Sequence, residues 1–149
     1  MRTPSRITAC SSLVFLVAML PLCAQTPQIA KADSKPTKSD YIRGPYGLEG
    51  WTMNWPLKDS DEQEPYPLVL EIARDGREVQ RIDGHPFIWK WMFWSDGRQV
   101  AFESGPRHFA MGCFLVDVET GHQLAVFDCE YTDLPKDAPE WLKALVQLP

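Results

Sequence analysis

Three turn dipeptides along the chain constrain its fold more than any other feature of the sequence. They are Asp75-Gly76, Asp96-Gly97 and Thr120-Gly121, and each lies between two segments that contain apolar residues. Asp-Gly between alternating hydrophobic residues is the strongest short signal for a β-hairpin, because both residues tolerate a positive φ. A hairpin signal that recurs about every 20 to 25 residues indicates antiparallel strands that follow one another in sequence.

The runs around these turns predict a mainly β fold, an antiparallel meander of six to seven strands with a short C-terminal helix. The predicted strands are residues 50–56, 68–74, 78–82, 87–94, 99–103, 111–118 and 122–127. A helix is predicted over residues 139–146, where Pro139 suits a first turn and Glu140 favours a helix N-terminus. Residues 46–149 therefore form a single predicted β-rich domain.

The run over residues 87–94 is apolar on both faces when it is arranged as a strand. Trp89, Trp91 and Phe93 share one face at a period of two residues. A strand that faces water on one side alternates apolar and polar residues, so both faces of this strand should be covered. The face with Trp89, Trp91 and Phe93 is therefore either core or, where cover is incomplete, a binding surface. The expected cover is Trp51, Met53 and Trp55 on one side and Trp141, Leu142 and Leu145 of the helix on the other.

The first 24 residues have the pattern of a secretory signal peptide. Arg2 and Arg6 form a basic start, and residues 13–20 form an apolar run. Ala24 is a small residue at the predicted cleavage site, and Gln25 would be the new N-terminus. The sequence thus predicts a periplasmic or secreted protein.

Two other fates of this N-terminal segment stay open. The first is an uncleaved anchor, although the apolar stretch of residues 7–22 is shorter than the about 20 residues that a membrane span needs. The second is a lipoprotein modified at Cys23, whose neighbour Leu22 is bulkier than the small residues usual at that position. A cleaved signal peptide is the favoured interpretation.

Residues 25–45 are polar and lack periodicity, which predicts a flexible tether between the signal peptide and the domain. Cleavage would remove two of the 15 basic residues and none of the 20 acidic ones, so the net charge becomes more negative than −5. Nucleic-acid phosphates and anionic membranes repel such a chain. We therefore expect no nucleic-acid partner, and no membrane span in the mature chain.

Cys113 and Cys129 are the cysteines that remain after cleavage, and they predict a disulfide in an oxidising compartment. A free reactive thiol is the competing role. With a three-residue loop over residues 119–121, Cys113 lies opposite Phe127, and Cys129 lies one diagonal step away. Diagonal neighbours are about 7 Å apart, near the reach of a disulfide. A four-residue loop would place the two cysteines on opposite faces.

The sequence predicts no catalytic residue, no metal site and no cofactor. His85, His108 and His122 lie in or beside turns and lack the spacing of zinc ligands. Ser104 lacks the first glycine of a nucleophile elbow. No glycine-rich phosphate-binding loop is present in the sequence.

Residues 94–102, which end in an apolar strand, resemble the signature of a WD-like β-propeller repeat of the kind in TolB-type periplasmic proteins. That family has Trp-Ser-Pro-Asp-Gly at this turn, and the proline is missing here. Residues 115–121 are similar to the hairpin that follows in the family. The resemblance implies one four-stranded blade over residues 87–127 and the last two strands of a preceding blade over residues 67–82. A propeller needs at least four blades, so one and a half blades cannot close a ring.

Members of that family bind proteins or small ligands at blade loops, but no functional residue carries over to this chain. The favoured function is a small exported, non-enzymatic binding or assembly module on a propeller-blade-like sheet, with a protein partner or self-association. The alternative is a small periplasmic hydrolase without a recognisable motif, and a purely structural role in an envelope complex is a third. Histidines clustered with acids would favour the enzyme, and an exposed aromatic face would favour the module.

Overall fold

The computed structural model describes residues 35–58, 64–107, 111–129 and 134–149, and these contain nine strands and one helix. In chain order they are β1 (Thr37–Lys38), β2 (Ile42–Arg43), β3 (Leu48–Trp55), β4 (Tyr66–Arg74), β5 (Arg77–Asp83), β6 (Phe87–Trp94), β7 (Gln99–Gly105), β8 (Gly112–Asp117), β9 (Gln123–Asp128) and α1 (Glu140–Val146). The predicted signal peptide, with its cleavage site between Ala24 and Gln25, lies outside the described residues.

The strands form two antiparallel sheets. In the first sheet β3, β4 and β5 pair in sequence order, and both β1 and β2 pair with the other edge of β3. In the second sheet β6, β7, β8 and β9 pair in sequence order. The predicted fold class, mainly β and antiparallel with a short C-terminal helix, is confirmed. The two-residue strands β1 and β2 were not predicted, and the strands are divided between two sheets after β5.

The predicted turn dipeptides lie at hairpins. Asp75 and Gly76, between β4 and β5, have φ values of 50° and 78°. A positive φ at both central residues is what a type I′ turn requires. Asp96 and Gly97, between β6 and β7, have φ values of 56° and 76°. At both hairpins, residues that tolerate a positive φ therefore occupy the turn in which the chain reverses direction.

Part of the segment predicted as a flexible tether, residues 25–45, belongs to the first sheet. There β1 and β2 pair with β3. The Lys38 ammonium lies 4.0 Å from the Trp51 ring centre, and the Tyr41 ring meets the same ring edge-on at 5.2 Å. The prediction of a tether extending to residue 45 is therefore wrong for residues 37–43, because Trp51 and the edge of β3 give this polar segment a surface to pack on.

The main core lies between the two sheets. Its buried side chains are Leu48, Leu70, Ile72, Ile88, Trp91, Val100, Phe102, Val116 and Val118. The sheets approach closely at Gly50, where an added Cβ would overlap the Trp91 ring. Because Gly50 faces the second sheet, strand alternation directs Trp51 away from it. The prediction that Trp51 helps to cover the aromatic strand is therefore wrong.

A β-bulge divides the aromatic strand β6. Between Ile88 and Lys90 the pairing with β7 slips by one residue, and Trp89 is the extra residue. Trp91 and Phe93 pack in the main core, whereas Trp89 packs in a smaller cluster. The prediction that Trp89 shares a face with Trp91 and Phe93 is wrong, because a bulge shifts the two-residue period by one. The smaller cluster also contains Met53, Trp55, Leu57, Tyr66, Leu68, Val69 and Phe87.

Helix α1 covers the outer face of the second sheet, as the sequence predicts. Its buried residues are Trp141, Leu142 and Leu145. They pack in one cluster with side chains of the sheet, which include Met92, Trp94, Ala101, Cys113 and Leu115. The second sheet therefore has apolar cover on both faces, the first sheet on one and α1 on the other.

The disulfide between Cys113 and Cys129 is present, and its Cα atoms are 5.7 Å apart. Cys113 pairs with Phe127. The predicted three-residue loop is wrong, because Asp117 lies opposite His122 and the turn contains the four residues 118–121. A bulge that leaves Leu124 as the extra residue of β9 restores the register that brings the two cysteines together.

Candidate interaction surface

The outermost strands of the two sheets each have one side that no neighbouring strand occupies. Backbone N–H and C=O groups along such an edge are a template for pairing with another chain, which proteins normally prevent with charges, short strands or a covering element. The edges here are β5 on one side of the first sheet and β1 and β2 on the other, with β6 and β9 at the ends of the second sheet. Their side chains decide which edge is open to a partner.

The first sheet is protected at both edges. The edge strand β5 includes the charged residues Arg77, Glu78, Arg81 and Asp83. Arg81 is fixed by an ion pair with the buried Glu71 at 2.7 Å. On the other side β1 and β2 have two residues each, too few for a continuous pairing template. Charge and short length thus disfavour the addition of a strand to this sheet.

The strand β6 lies at an edge of the second sheet, not at the centre where its tryptophans suggest. The end of the chain lies beside it: the Lys90 ammonium donates a hydrogen bond to the Leu148 carbonyl at 2.8 Å. The Trp89 indole N–H donates to the Gly105 carbonyl at 2.9 Å. A lysine and the segment that follows α1 therefore protect this edge.

Among the residues that the structure describes, the strand β9 has neither kind of protection. It contains no lysine and no proline, and its one charged residue is Asp128 at its end. Leu124 is 46% exposed, Val126 54% and Phe127 38%. These three make up half of the large hydrophobic residues that are exposed in the described ranges. Apolar side chains along an unprotected edge mark a site for pairing with another polypeptide.

Hydrogen bonding at the end of β9 shows which of its peptide groups point outward. The Cys129 N–H donates to the carbonyl of Met111, which precedes β8, at 2.8 Å. Successive residues alternate in an antiparallel pair, so the peptide groups of Phe127 and Ala125 also point towards β8. The peptide N–H and C=O of Val126 therefore point away from β8, towards the open side of this edge. Val126 presents its N–H, its C=O and an exposed apolar side chain at one position.

The side chains of β9 divide between the two faces of the second sheet. Ala125 packs in the cluster under α1, and the Phe127 ring meets the Trp141 ring at 5.7 Å. Val126 alternates with these residues and lies on the opposite face. On that face the first sheet covers the inner strands but leaves Val126 exposed. Leu124, the bulge residue of β9, is also exposed.

Both ends of β9 are fixed. The disulfide holds Cys129, just after the strand, to β8. Before the strand, the Asp117 carboxylate accepts hydrogen bonds from the N–H and the hydroxyl of Thr120, each at 2.8 Å. These two hydrogen bonds, of which the backbone bond has the larger effect, lower the pKa of Asp117 below its ordinary value. A strand held at both ends binds with less loss of conformational entropy than a mobile one.

A cleft of about 220 Å³ lies where hairpin turns of the two sheets meet. It is lined by Tyr46, Leu48, Arg74, Asp96, Gly97, Arg98 and Glu119. Arg74 pairs with Glu119 at 2.6 Å, and Arg98 bonds to the carbonyl and the hydroxyl of Ser95 at 3.2 and 3.0 Å. Ligand pockets usually start at about 300 Å³. The small volume and the internal partners favour a structural role, in which Arg74 and Glu119 link the two sheets.

Ser104 and His85, considered from the sequence as a possible nucleophile and a possible zinc ligand, have structural partners. Ser104 is buried, and its hydroxyl donates to the Phe87 carbonyl at 2.7 Å and accepts from the His85 N–H at 2.6 Å. The His85 ring lies 5.3 Å from the Phe114 ring. His108 lies outside the described residues. Within the described ranges no three side chains of His, Cys, Asp or Glu are grouped so as to hold a metal ion.

Comparison with known proteins gives no match: no family model, curated protein or solved structure is similar to this chain. In the part of the chain that the structure describes, no helix has the length and apolar character of a membrane span.

The structure moves the candidate surface from the aromatic strand to the other edge of the second sheet. Trp91 is 8% exposed and lies in the core, while Trp89 and Phe93 are half-buried. Sequence analysis missed Leu124 and Val126. A signal for them exists, because the last strand of a meander is an edge strand. At that edge residues 124–127 are all apolar, where a protected edge would have a charge.

Proposed function

We propose that this protein is a small exported binding or assembly module that pairs with another polypeptide through the edge of β9. The contrast among the sheet edges carries the proposal. The β5 edge is charged, and the β6 edge has Lys90 bonded to Leu148. The β9 edge presents Leu124, Val126 and Phe127 to solvent.

Strand addition explains how such an edge recognises a partner. The outward N–H and C=O of Val126 supply main-chain hydrogen bonds, which are the general source of affinity in this mode. Alternate side chains of the added strand then cover Val126 on one face and Phe127 on the other. The same interaction that gives binding removes exposed apolar surface from water.

Export to an oxidising compartment is part of the proposal. A disulfide between Cys113 and Cys129 supports it, because such bonds persist in the periplasm and outside the cell. The propeller-blade-like interpretation is supported by the order of the strands, since each sheet contains a run of strands paired in sequence order. The faces of the second sheet are covered by the first sheet and by α1, so its β9 edge is the surface of that sheet left for a partner.

Site-specific photocross-linking tests the proposal. A photoreactive phenylalanine analogue replaces Phe127 in one variant and Tyr46, which is 79% exposed, in a control variant. We expect irradiation in the envelope of the native host to give a discrete adduct from position 127 and none from position 46. Because Tyr46 is the more exposed residue, random encounters would label it at least as strongly. Equal labelling, or no adduct at position 127, would contradict the proposal.

A further inference from the structure

We infer that the outer face of the first sheet around Trp51 is a binding site for a basic, extended polypeptide segment, and that residues 37–43 of this chain occupy that site in the structure. Residues 37–43 are called the covering segment below. The inference is independent of the β9 edge, because it concerns the other sheet. It starts from Trp51, which lies on the face of β3 opposite to Gly50 and the core.

The Trp51 ring is held in place by a neighbouring strand. Its indole N–H donates a hydrogen bond to one oxygen of the Glu71 carboxylate at 3.0 Å. Arg81 donates to the other oxygen of the same carboxylate at 2.7 Å. Because Glu71 is only 8% exposed, this acceptor is well shielded from water. The indole therefore presents a fixed aromatic face, which is the kind of surface that attracts a cation.

The side chains of the covering segment show which ligand chemistry fits this face. The Lys38 ammonium lies 4.0 Å from the centre of the Trp51 ring. The Tyr41 ring meets the same ring edge-on, with 5.2 Å between the ring centres. Arg43 lies opposite Glu49 in the pairing of β2 with β3. The face thus accommodates two basic side chains with an aromatic side chain between them.

The main chain of the covering segment is bound to β3 as an added strand would be. The Ser39 N–H donates to the Thr52 carbonyl at 2.9 Å. The Thr52 N–H in turn donates to the Ser39 hydroxyl at 2.9 Å. In strand addition such main-chain bonds supply affinity, and the side chains supply specificity. Both kinds of contact are present here within one chain.

The covering segment buries Trp51 while burying little of itself. All four residues of β1 and β2 are exposed. Tyr41 is 56% exposed, although its ring contacts Trp51, whereas Trp51 is 8% exposed. Segments with few buried apolar contacts open at a lower free energy than the whole fold unfolds. A competing polypeptide can therefore replace this segment without unfolding the sheets.

The turn that follows the covering segment favours such an exchange. Tyr46, between β2 and β3, has a φ of 55°. This value is an outlier for a bulky residue, and release of the segment allows Tyr46 to leave it. Once the segment is released, the eight-residue strand β3 has an open edge beside Trp51.

A fluorescently labelled peptide that copies residues 35–43 tests the site by fluorescence anisotropy, with protein purified from an exporting host. The double variant Lys38→Ala and Tyr41→Ala removes both ring contacts of the covering segment. We expect it to bind the peptide about tenfold more tightly than the wild type, whose own segment competes. Ile42→Ala is the matched control, since Ile42 is 43% exposed in the same segment, and it should bind like the wild type.

A second peptide, with alanine in place of the lysine that corresponds to Lys38, tests the role of the cation. We expect the double variant to bind it about tenfold more weakly than the first peptide. Equal affinities for the two peptides would overturn the inference. So would an absence of binding by the double variant, or equal affinities of the wild type and the double variant for the first peptide.

The indole N–H resonances in an NMR titration locate the bound peptide. We expect the peptide to shift the Trp51 resonance of the double variant and to leave that of Trp141 unchanged. Trp141 is the matched reporter for the other edge, because its ring contacts Phe127 of β9. A shift at Trp141 without one at Trp51 would overturn the inference and leave the proposed function standing.

Discussion

At the scale of single residues, two tryptophans of β6 have different roles although they are two positions apart. The Trp91 ring lies over Gly50 in the core between the sheets, and 8% of the residue is exposed. Trp89 is half-buried and donates a hydrogen bond to the Gly105 carbonyl. The bulge between Ile88 and Lys90 separates the two environments.

Substitution by alanine should distinguish these two roles. We expect Trp91→Ala to lower the free energy of unfolding by about 3–5 kcal/mol, because it leaves a cavity in the main core. Trp89→Ala should cost less, since part of the side chain meets water in the folded state as well. Urea unfolding followed by circular dichroism gives both values. Equal losses for the two variants would contradict the placement of Trp89 outside the main core.

The Asp117 carboxylate responds to pH through its bonds to Thr120. These bonds lower its folded-state pKa, so the ionised form stabilises the fold above the unfolded-state pKa of about 3.9. As the pH falls through the lower, folded-state pKa, that stabilisation is lost. Acid should therefore weaken the turn that leads into β9.

Replacement of Thr120 distinguishes the effects of its backbone and hydroxyl hydrogen bonds on the pKa of Asp117. We expect Thr120→Val to raise the pKa of Asp117 partway towards its ordinary value, because the hydroxyl bond is lost and the backbone bond remains. Thr120→Ser, which retains a hydroxyl, should keep the pKa low. A carboxyl-carbon NMR titration measures both variants. An unchanged pKa in Thr120→Val would show that the hydroxyl bond does not form in solution.

At the scale of elements, the disulfide fixes the hairpin of β8 and β9. Its cysteines are separated by 16 positions. Closing a loop of about 15 residues stabilises a fold by roughly 3 kcal/mol on the chain-entropy model. We expect the double variant Cys113→Ala and Cys129→Ala to lose about that much. Alkylation of the unreduced, denatured mature chain, which lacks Cys10 and Cys23, checks the bond itself, and two modified cysteines would mean that it is absent.

Helix α1 contributes stability through its buried face. Leu142 is 1% exposed in the cluster against the second sheet. We expect Leu142→Ala to lower the free energy of unfolding by about 2–5 kcal/mol. Gln147→Ala, at the exposed end of the helix, should change it by less than about 0.5 kcal/mol. Similar melting temperatures for the two variants would show that the helix does not cover the sheet.

The sequence predicts where hairpins and strands form better than it predicts on which face of a strand each side chain lies. Asp75-Gly76 and Asp96-Gly97 specify hairpins through their own backbone preferences, so they are visible locally. The bulge at Trp89 has no such local signal, because it depends on the pairing of β6 with β7. The strands β1 and β2 form only because Trp51 and the edge of β3 are present, and a polar segment read alone indicates a tether.

At the scale of the whole molecule, the first sheet and α1 cover the two faces of the second sheet, while the edges of both sheets are protected separately. The sequence predicts the order of the strands and so marks the last strand as an edge. The residue types alone do not show that this edge stays uncovered, since Leu124 and Val126 are of the same types as the buried Leu70 and Val100. Their exposure follows from the first sheet covering only the inner strands of the second.

Hydrogen exchange at the Val126 amide is the most direct test of the account. This amide points away from the sheet, so it should exchange rapidly in dilute protein. When the polypeptide captured at position 127 is added, we predict that its exchange slows at least tenfold, while amides of the charged β5 edge are unaffected. Exchange at Val126 that does not respond to this partner, or that slows equally on β5, would contradict the claim that β9 is the edge through which this protein associates.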